Sequence, residues 1–230
     1  MKLQKETKVS RAEHGKWYDD ACGTAFAMEL VGERWSLLIV RELMFGGRRF
    51  SDLRGALPGI SAKVLTERLE GMERAGILSR VELAGPPAVR LYELTPWGYG
   101  AEEPIKALGY WAAQSPDHDP TLPLSAASFM LSLRTMFDPA RAKGARFSGA
   151  IAIGAERFFV KLGKKGFRAE RGAVENPDFS LAAPSASVLA ALVYGKAPLA
   201  ELAEAGLEAT GAPPAIAAFV DLFHLPEKAR

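Results

Sequence analysis

Between Gly59 and Arg80 the chain reads GISAKVLTERLEGMERAGILSR, and Ser61, Lys63, Thr66 and Glu67 place hydroxyl, ammonium and carboxylate groups at short helical spacing. At 100° per residue, Lys63, Thr66, Glu67, Glu70 and Arg74 fall on one face, with Leu65, Leu69 and Met72 opposite. The apolar face is expected to dock on preceding helices. The polar face is either the solvated side of an amphipathic helix or a surface that enters a nucleic-acid groove. In the second case Ser61, Lys63, Thr66 and Glu67, near the helix N-terminus, reach bases first, helped by free backbone N–H groups close to phosphate. The next segment favours the groove: VELAGPPAVRLYELT predicts two strands, Val81 to Leu83 and Val89 to Leu94, around a Gly-Pro-Pro turn. Arg80 and Arg90 on this hairpin, and Arg48 and Arg49 earlier in the chain, are candidate phosphate contacts. Arg68 lies nearer the core edge, where a phosphate contact and an internal ion pair are equal alternatives.

Other reactive side chains form no catalytic constellation. His14, His118 and His224 stand far apart, Cys22 has no recognisable base partner, and neither a phosphate loop nor a metal-ligand spacing occurs. No cofactor is expected. Asp117, His118 and Asp119 sit in a polar stretch, where they read as solvated. If Asp20 caps a helix, Cys22 falls in its first turn, where the helix dipole favours thiolate while Asp19 and Asp20 oppose it. Cys22 is therefore either a redox-responsive thiol or a small buried hydrophobe.

These groups need elements to hold them. The chain has 230 residues, 48% hydrophobic and 24% charged, enough for two modest domains. A net charge of +2 is too small to argue for nucleic acid unless the positive residues are clustered. One cysteine, an opening MKLQKETKVSRAEHGK without an apolar core, and no long apolar run point to a reducing, cytoplasmic setting away from membranes. The first sixteen residues are expected to form an arm. CGTAFAMELVG and ERWSLLIVRELMFG predict two helices parted by Gly32, with Trp35, Leu38, Ile39 and Leu43 as a buried stripe. A short helix from about Ser51, with Ser51 as its N-cap and a further candidate DNA contact, should end at Pro58 and Gly59.

Taken together, the run from Cys22 through Gly32, Trp35, Leu38, Ile39 and Arg41 to Leu43, then RRFSDLRGALPGIS, LTERLEGMERAGIL and YELTPWG, resembles the HxlR-type winged helix-turn-helix transcriptional regulators. The resemblance spans Tyr18 to Ala113. It implies a homodimer whose terminal helices form the interface and whose two wings bind double-stranded DNA at a pseudo-palindromic operator. It also bears on Cys22, because members often carry a cysteine here and in some it senses electrophiles or oxidants. A helix over Glu102 to Ala113 fits, with Ile105, Leu108 and Trp111 on one stripe as intrachain core or dimer seam; two-fold DNA binding favours the seam.

Gln114 to Pro123, QSPDHDPTLP, reads as a linker, dividing the chain into 17–113, 114–123 and 124–230. The last part predicts an amphipathic helix over Ser125 to Phe137, strands in FSGAIAIGA, RFFVKLGKKGFRAERG and NPDFSLAAP, a serine-capped apolar helix stopping at Gly195, a short strand LEATG and a terminal helix APPAIAAFVDLF. Leu124 to Phe223 resembles the sterol carrier protein type 2 fold, which implies an antiparallel sheet packed by helices around an apolar tunnel. Phe129, Leu133, Leu189, Leu192, Val193, Phe219 and Phe223 are the candidate lining residues for a lipid or other hydrophobic small molecule, or else ordinary core. The chain is thus expected to be α+β, a winged-helix domain followed by a sterol-carrier-like one, acting as a ligand-modulated DNA-binding regulator rather than an enzyme. A lipid carrier that uses the winged module only to dimerise, and a Cys22 sensor with a structural second domain, are the alternatives.

Overall fold

The computed structural model describes residues 18–86, 88–142 and 144–229; the expected N-terminal arm and His14 lie outside them. By internal packing the chain divides into one unit holding the residues up to Val40 with Gly47–Tyr99, and another holding Arg41–Gly46 with everything from Gly100 onward. In this division residues 100–113 group with the second unit.

The first unit begins with α1 (Gly23–Val31), whose apolar sequence GTAFAMELV buries no residue within the chain. Helix α2 (Ser36–Leu43) starts later than the spacing predicts, because Trp35 sits at φ 82° in the left-handed region and breaks the run. Its buried stripe is therefore Ser36, Ile39, Val40 and Leu43, while Leu38 is exposed and Trp35 only half-buried, against expectation. Helix α3 (Phe50–Ala56) has Arg49 at its N-cap; Ser51 is inside the first turn and does not cap it.

Helix α4 (Ala62–Arg74) follows the predicted wheel. Leu65, Leu69 and Met72 are buried, and the Ser61 hydroxyl caps it by accepting from the Val64 N–H at 3.2 Å. Two strands, β1 (Leu78–Leu83) and β2 (Val89–Leu94), pair antiparallel from Leu78↔Leu94 to Leu83↔Val89. The first strand begins three residues before the alternation suggests, since Gly76 (φ 74°) ends the helix and Leu78 already packs inward. After β2, the Thr95 hydroxyl donates to the Gly76 carbonyl at 2.8 Å, and Gly98 in the short helix α5 (Pro96–Tyr99) lies flush against the Ile77 carbonyl. A Cβ at Gly98 would stand 2.0 Å from that oxygen, so the YELTPWG motif needs a glycine there.

In the second unit α6 (Glu102–Ala113) packs on α7 (Ala126–Met136). Ser125 caps α7, accepting from the Ser128 N–H at 3.0 Å, and its hydroxyl donates to buried Glu42 at 2.6 Å. The segment read as a linker is pinned at its start: Lys228 Nζ donates to the carbonyls of Ala113, Ser115 and His118 at 3.2, 2.9 and 3.0 Å.

A five-stranded sheet completes the core of this unit, built from β3 (Phe147–Ile153), β4 (Glu156–Gly163), β5 (Gly166–Arg171), β6 (Phe179–Ala183) and β7 (Glu208–Gly211), in the order β5-β4-β3-β6-β7. The expected all-antiparallel sheet is corrected here, because β3 and β6 run parallel, from Gly149↔Phe179 to Ile153↔Ala183. After β5 the chain returns to the starting end of β3 before β6 begins, and hairpin spacing alone does not reveal that crossover. Gly149 leaves room for the Phe179 ring, which would meet a Cβ at 2.3 Å. Helices α8 (Ala186–Val193) and α10 (Pro213–Asp221) pack against β6, and α9 (Leu199–Glu204) packs against α8. Ser185 precedes α8 but its hydroxyl makes no capping bond.

The seven candidate tunnel residues, Phe129, Leu133, Leu189, Leu192, Val193, Phe219 and Phe223, are all buried in the core of this unit. Phe219 and Phe223 meet edge to face at 5.2 Å between ring centres, and Phe129 meets Tyr194 at 6.4 Å. The hydroxyl of half-buried Tyr194 shares a 2.7 Å hydrogen bond with Ser132, and desolvation raises its pKa so that it stays neutral.

Two glycine substitutions test this packing from opposite sides. Gly98→Ala should lower stability by about 2 kcal/mol in urea denaturation, since the methyl group must push the Ile77 carbonyl aside. Gly55→Ala, within α3 and with nothing inside 4 Å of its Cβ position, should be neutral or stabilising by up to about 1 kcal/mol.

Candidate nucleic-acid interface

The sequence of α4 sets its own roll. Once Leu65, Leu69 and Met72 are buried, Lys63, Thr66, Glu67, Glu70 and Arg74 must face outward, and all five are exposed. Lys63 and Glu67, one helical turn apart, approach to 3.9 Å. Both are largely solvated, so the pair is weak and opens readily to other partners. Ser61 has its hydroxyl committed to the cap, which leaves the exposed N-terminal turn presenting Lys63, Thr66 and Glu67.

The arginines around this helix are held by partners that periodicity does not reveal. Arg80 pairs with Glu73 at 3.0 Å, and its guanidinium lies 5.6 Å from the centre of the Tyr92 ring. Those contacts hold its stem along the wing while nearly half of the side chain stays exposed. Arg90 faces Glu82 across the hairpin at 3.8 Å with both side chains open to solvent. Arg48 is tied to the wing through its backbone, its N–H donating to the Tyr92 carbonyl at 2.9 Å and its own carbonyl accepting from Tyr92 at 2.8 Å. The segment before α3 is thereby bridged to β2, and Arg49 next to it is exposed.

Of the two readings of Arg68, the ion pair is present: Nη2 meets Glu33 at 2.8 Å and Nε donates to the Arg34 carbonyl at 3.3 Å. This links α4 to the turn between α1 and α2. Glu33 lies 35 positions upstream and no local pattern marks it as the partner. Ser51 donates to Asp52 at 3.2 Å on the exposed side of α3.

Cys22 is placed differently from both of its predicted settings. It is the N-cap residue of α1 rather than a first-turn residue, and its thiol is exposed rather than buried. The Asp20 carboxylate accepts from the Cys22 N–H at 2.9 Å. The Cys22 side chain makes no capping hydrogen bond, but the neighbouring backbone amides of Ala25 and then Thr24, with the Thr24 side chain, favour the thiolate and hold the thiol pKa below its ordinary value. In the segment between α6 and α7, Asp119 accepts from the Thr121 N–H and hydroxyl at 2.8 and 2.6 Å. Among the described residues, no three His, Cys, Asp or Glu side chains gather as a metal site. No helix there is long and apolar enough to cross a membrane.

Comparison with known proteins bears on the same part of the chain. Residues 30–120 match the HxlR-like helix-turn-helix family. The chain is similar to YtfH of Escherichia coli, an uncharacterised HTH-type transcriptional regulator, with 34% identity over 99 residues that cover 43% of this chain and 79% of YtfH. It is 36% identical over 88 residues to the HTH-type transcriptional regulator YodB of Bacillus subtilis, covering 38% of this chain and 79% of YodB. The solved structure of reduced YodB aligns at 34% identity over 43% of this chain and 98% of that chain, with a TM-score of 0.39. With the family match over residues 30–120 and the relatives YtfH and YodB, each covered over 79% of its length, the chain belongs to the HxlR-like helix-turn-helix family of transcriptional regulators.

Proposed function

We propose that the protein is a homodimeric transcriptional regulator that binds a pseudo-palindromic double-stranded operator through α4 and the β1–β2 wing. The observation that carries this is the exposed turn bearing Lys63, Thr66 and Glu67 at a capped helix N-terminus, on the same unit as the arginine-bearing hairpin. Lys63 and Thr66 are the base readers, with Glu67 as acceptor and Ser61 as both cap and backbone contact. Arg48, Arg49, Ser51, Arg80 and Arg90 contact phosphate, and Arg68 supports α4 from behind.

Two sets of exposed apolar side chains support the dimer. Helix α1 exposes Phe26 and Met28, and α6 exposes Leu108, Tyr110 and Trp111, the last at 71%. The intrachain-core alternative for the α6 stripe therefore holds only for half-buried Ile105. Apolar residues so placed on terminal helices suit a second copy of the chain as their partner. The second unit, read as a sterol-carrier-like domain, receives the effector, a hydrophobic small molecule whose preference for one dimer arrangement shifts DNA affinity.

A Cys22-based response is the second reading, favoured by the exposed thiol at the N-cap of α1. On this reading oxidant or electrophile at Cys22 changes operator affinity and the second unit is structural.

Lys63→Ala should weaken binding to a preferred duplex by about tenfold in fluorescence anisotropy while changing scrambled-sequence affinity far less; equal losses on both duplexes would reduce Lys63 to a phosphate contact. Replacing Leu108 and Trp111 together with Glu should convert a dimer to a monomer in light scattering and abolish the preference for a two-fold site; an unchanged mass would remove α6 from the interface. The rate of Cys22 alkylation by iodoacetamide should rise with pH around a midpoint below that of an ordinary thiol, about 8.5, because the thiolate is the reactive form. A midpoint at or above that value would contradict the N-cap geometry as an activating setting.

A further inference from the structure

Within the second unit a cleft of about 420 Å³ opens between α6, α7 and the β4–β5 hairpin. Its charged lining comes from segments far apart in sequence: Glu102 and Lys106 on α6, Arg134 on α7, and Lys165, Arg168 and Glu170 on the hairpin. Four cations and two carboxylates leave the wall net positive. Its apolar wall is a pair of half-buried rings, Phe137 and Phe167, stacked at 5.2 Å with 20° between their planes. Behind them lies buried Phe223, its ring 5.2 Å from Phe167.

The cations differ in how firmly they are held. Arg134 is fixed: Nε donates to the Ala169 carbonyl at 2.9 Å, Nη1 pairs with Glu102 at 3.0 Å, and the guanidinium lies 4.4 Å from the centre of the Phe45 ring. Lys106 pairs with Glu103 at 2.7 Å, and Arg168 binds Glu170 with Nε at 2.7 Å on the strand surface. Lys165, at the hairpin tip, is exposed. A rigid guanidinium at the base, exchangeable cations at the rim and a flat aromatic wall match a ligand with an anionic head and a planar apolar body.

We infer that this cleft binds an aromatic carboxylate, its ring against Phe167 and Phe137 and its carboxylate held by Lys165, Arg168 and Lys106. The inference rests on the reading of the second unit as the effector-binding part, and it gives that effector an acidic group which the buried core alone would not require. The seven tunnel residues stay packed, and the ligand lies over Phe223 instead of displacing it. Because Lys106 lies on the opening turns of α6 and pairs there with Glu103, a carboxylate that draws on Lys106 competes with Glu103, and occupancy acts first on the start of the helix that exposes Leu108 and Trp111.

The test uses the full chain without DNA, so its outcome is independent of whether α4 binds an operator. Calorimetric titration with 1-naphthoate should show saturable binding about tenfold tighter than with uncharged 1-naphthalenemethanol, the expected effect of a charge-assisted contact. Lys165→Ala and Arg168→Ala, both at exposed positions, should each weaken naphthoate binding severalfold without changing the thermal midpoint. Arg74→Ala, on α4, should leave it unchanged. Equal binding of the acid and the alcohol, naphthoate binding insensitive to both hairpin variants, binding of inorganic phosphate alone, or no binding of any of these probes would each overturn the assignment.

Discussion

The burial of Leu65, Leu69 and Met72 is the constraint on which the proposed DNA-facing geometry depends. A helix has one degree of freedom that its hydrogen bonds do not fix, the roll about its axis, and here three apolar side chains set it. Once they are seated, which groups face outward is no longer adjustable: Lys63, Thr66 and Glu67 face out at the N-terminal end, and the Ser61 cap stops that end from fraying. The Arg68–Glu33 pair and the Thr95–Gly76 hydrogen bond hold the same helix and the start of the wing from two further directions.

The second unit is organised around fixed cations in a different way. Arg134 joins α7 to α6 through Glu102, to β5 through the Ala169 carbonyl, and to the Phe45 ring. Arg171 repeats the device further along β5, donating to the Phe45 carbonyl at 3.0 Å, pairing with Glu156 at 2.7 Å and stacking on Phe158. Partly buried guanidinium groups with so many partners are costly to move, so the base of the charged cleft is rigid while its rim is not. That division, a stiff floor with exchangeable lysine and arginine heads above it, suits a site that admits and releases a small anion.

Much of this organisation is legible in residue order, and the failures have definite causes. The amphipathic pattern of α4, the extent of α6 and most strands of the second unit follow from periodicity. Spacing alone starts α2 near Glu33 and buries Leu38; the left-handed Trp35 delays the helix and rotates its stripe onto Ser36, Ile39 and Val40. Ser51 has the side chain of a cap, yet the cap of α3 falls two residues earlier, at Arg49, beside the bridge from Arg48 to Tyr92. The parallel β3–β6 pairing comes from a crossover that local patterns do not encode. The cleft escapes a linear reading for the same reason: Lys106, Arg134, Lys165 and Arg168 meet only through tertiary packing, and the charge-dense KKGFRAER hairpin is its one visible trace.

The central claim, that two copies of α4 read a symmetric duplex, is tested most directly by in vitro selection from a random double-stranded library at physiological salt. Enrichment of an inverted repeat whose half-sites lie about one helical turn, roughly 10 base pairs, apart is the result the geometry predicts. Recovery of sequences without a common motif, bound no more tightly than the starting library, would contradict it.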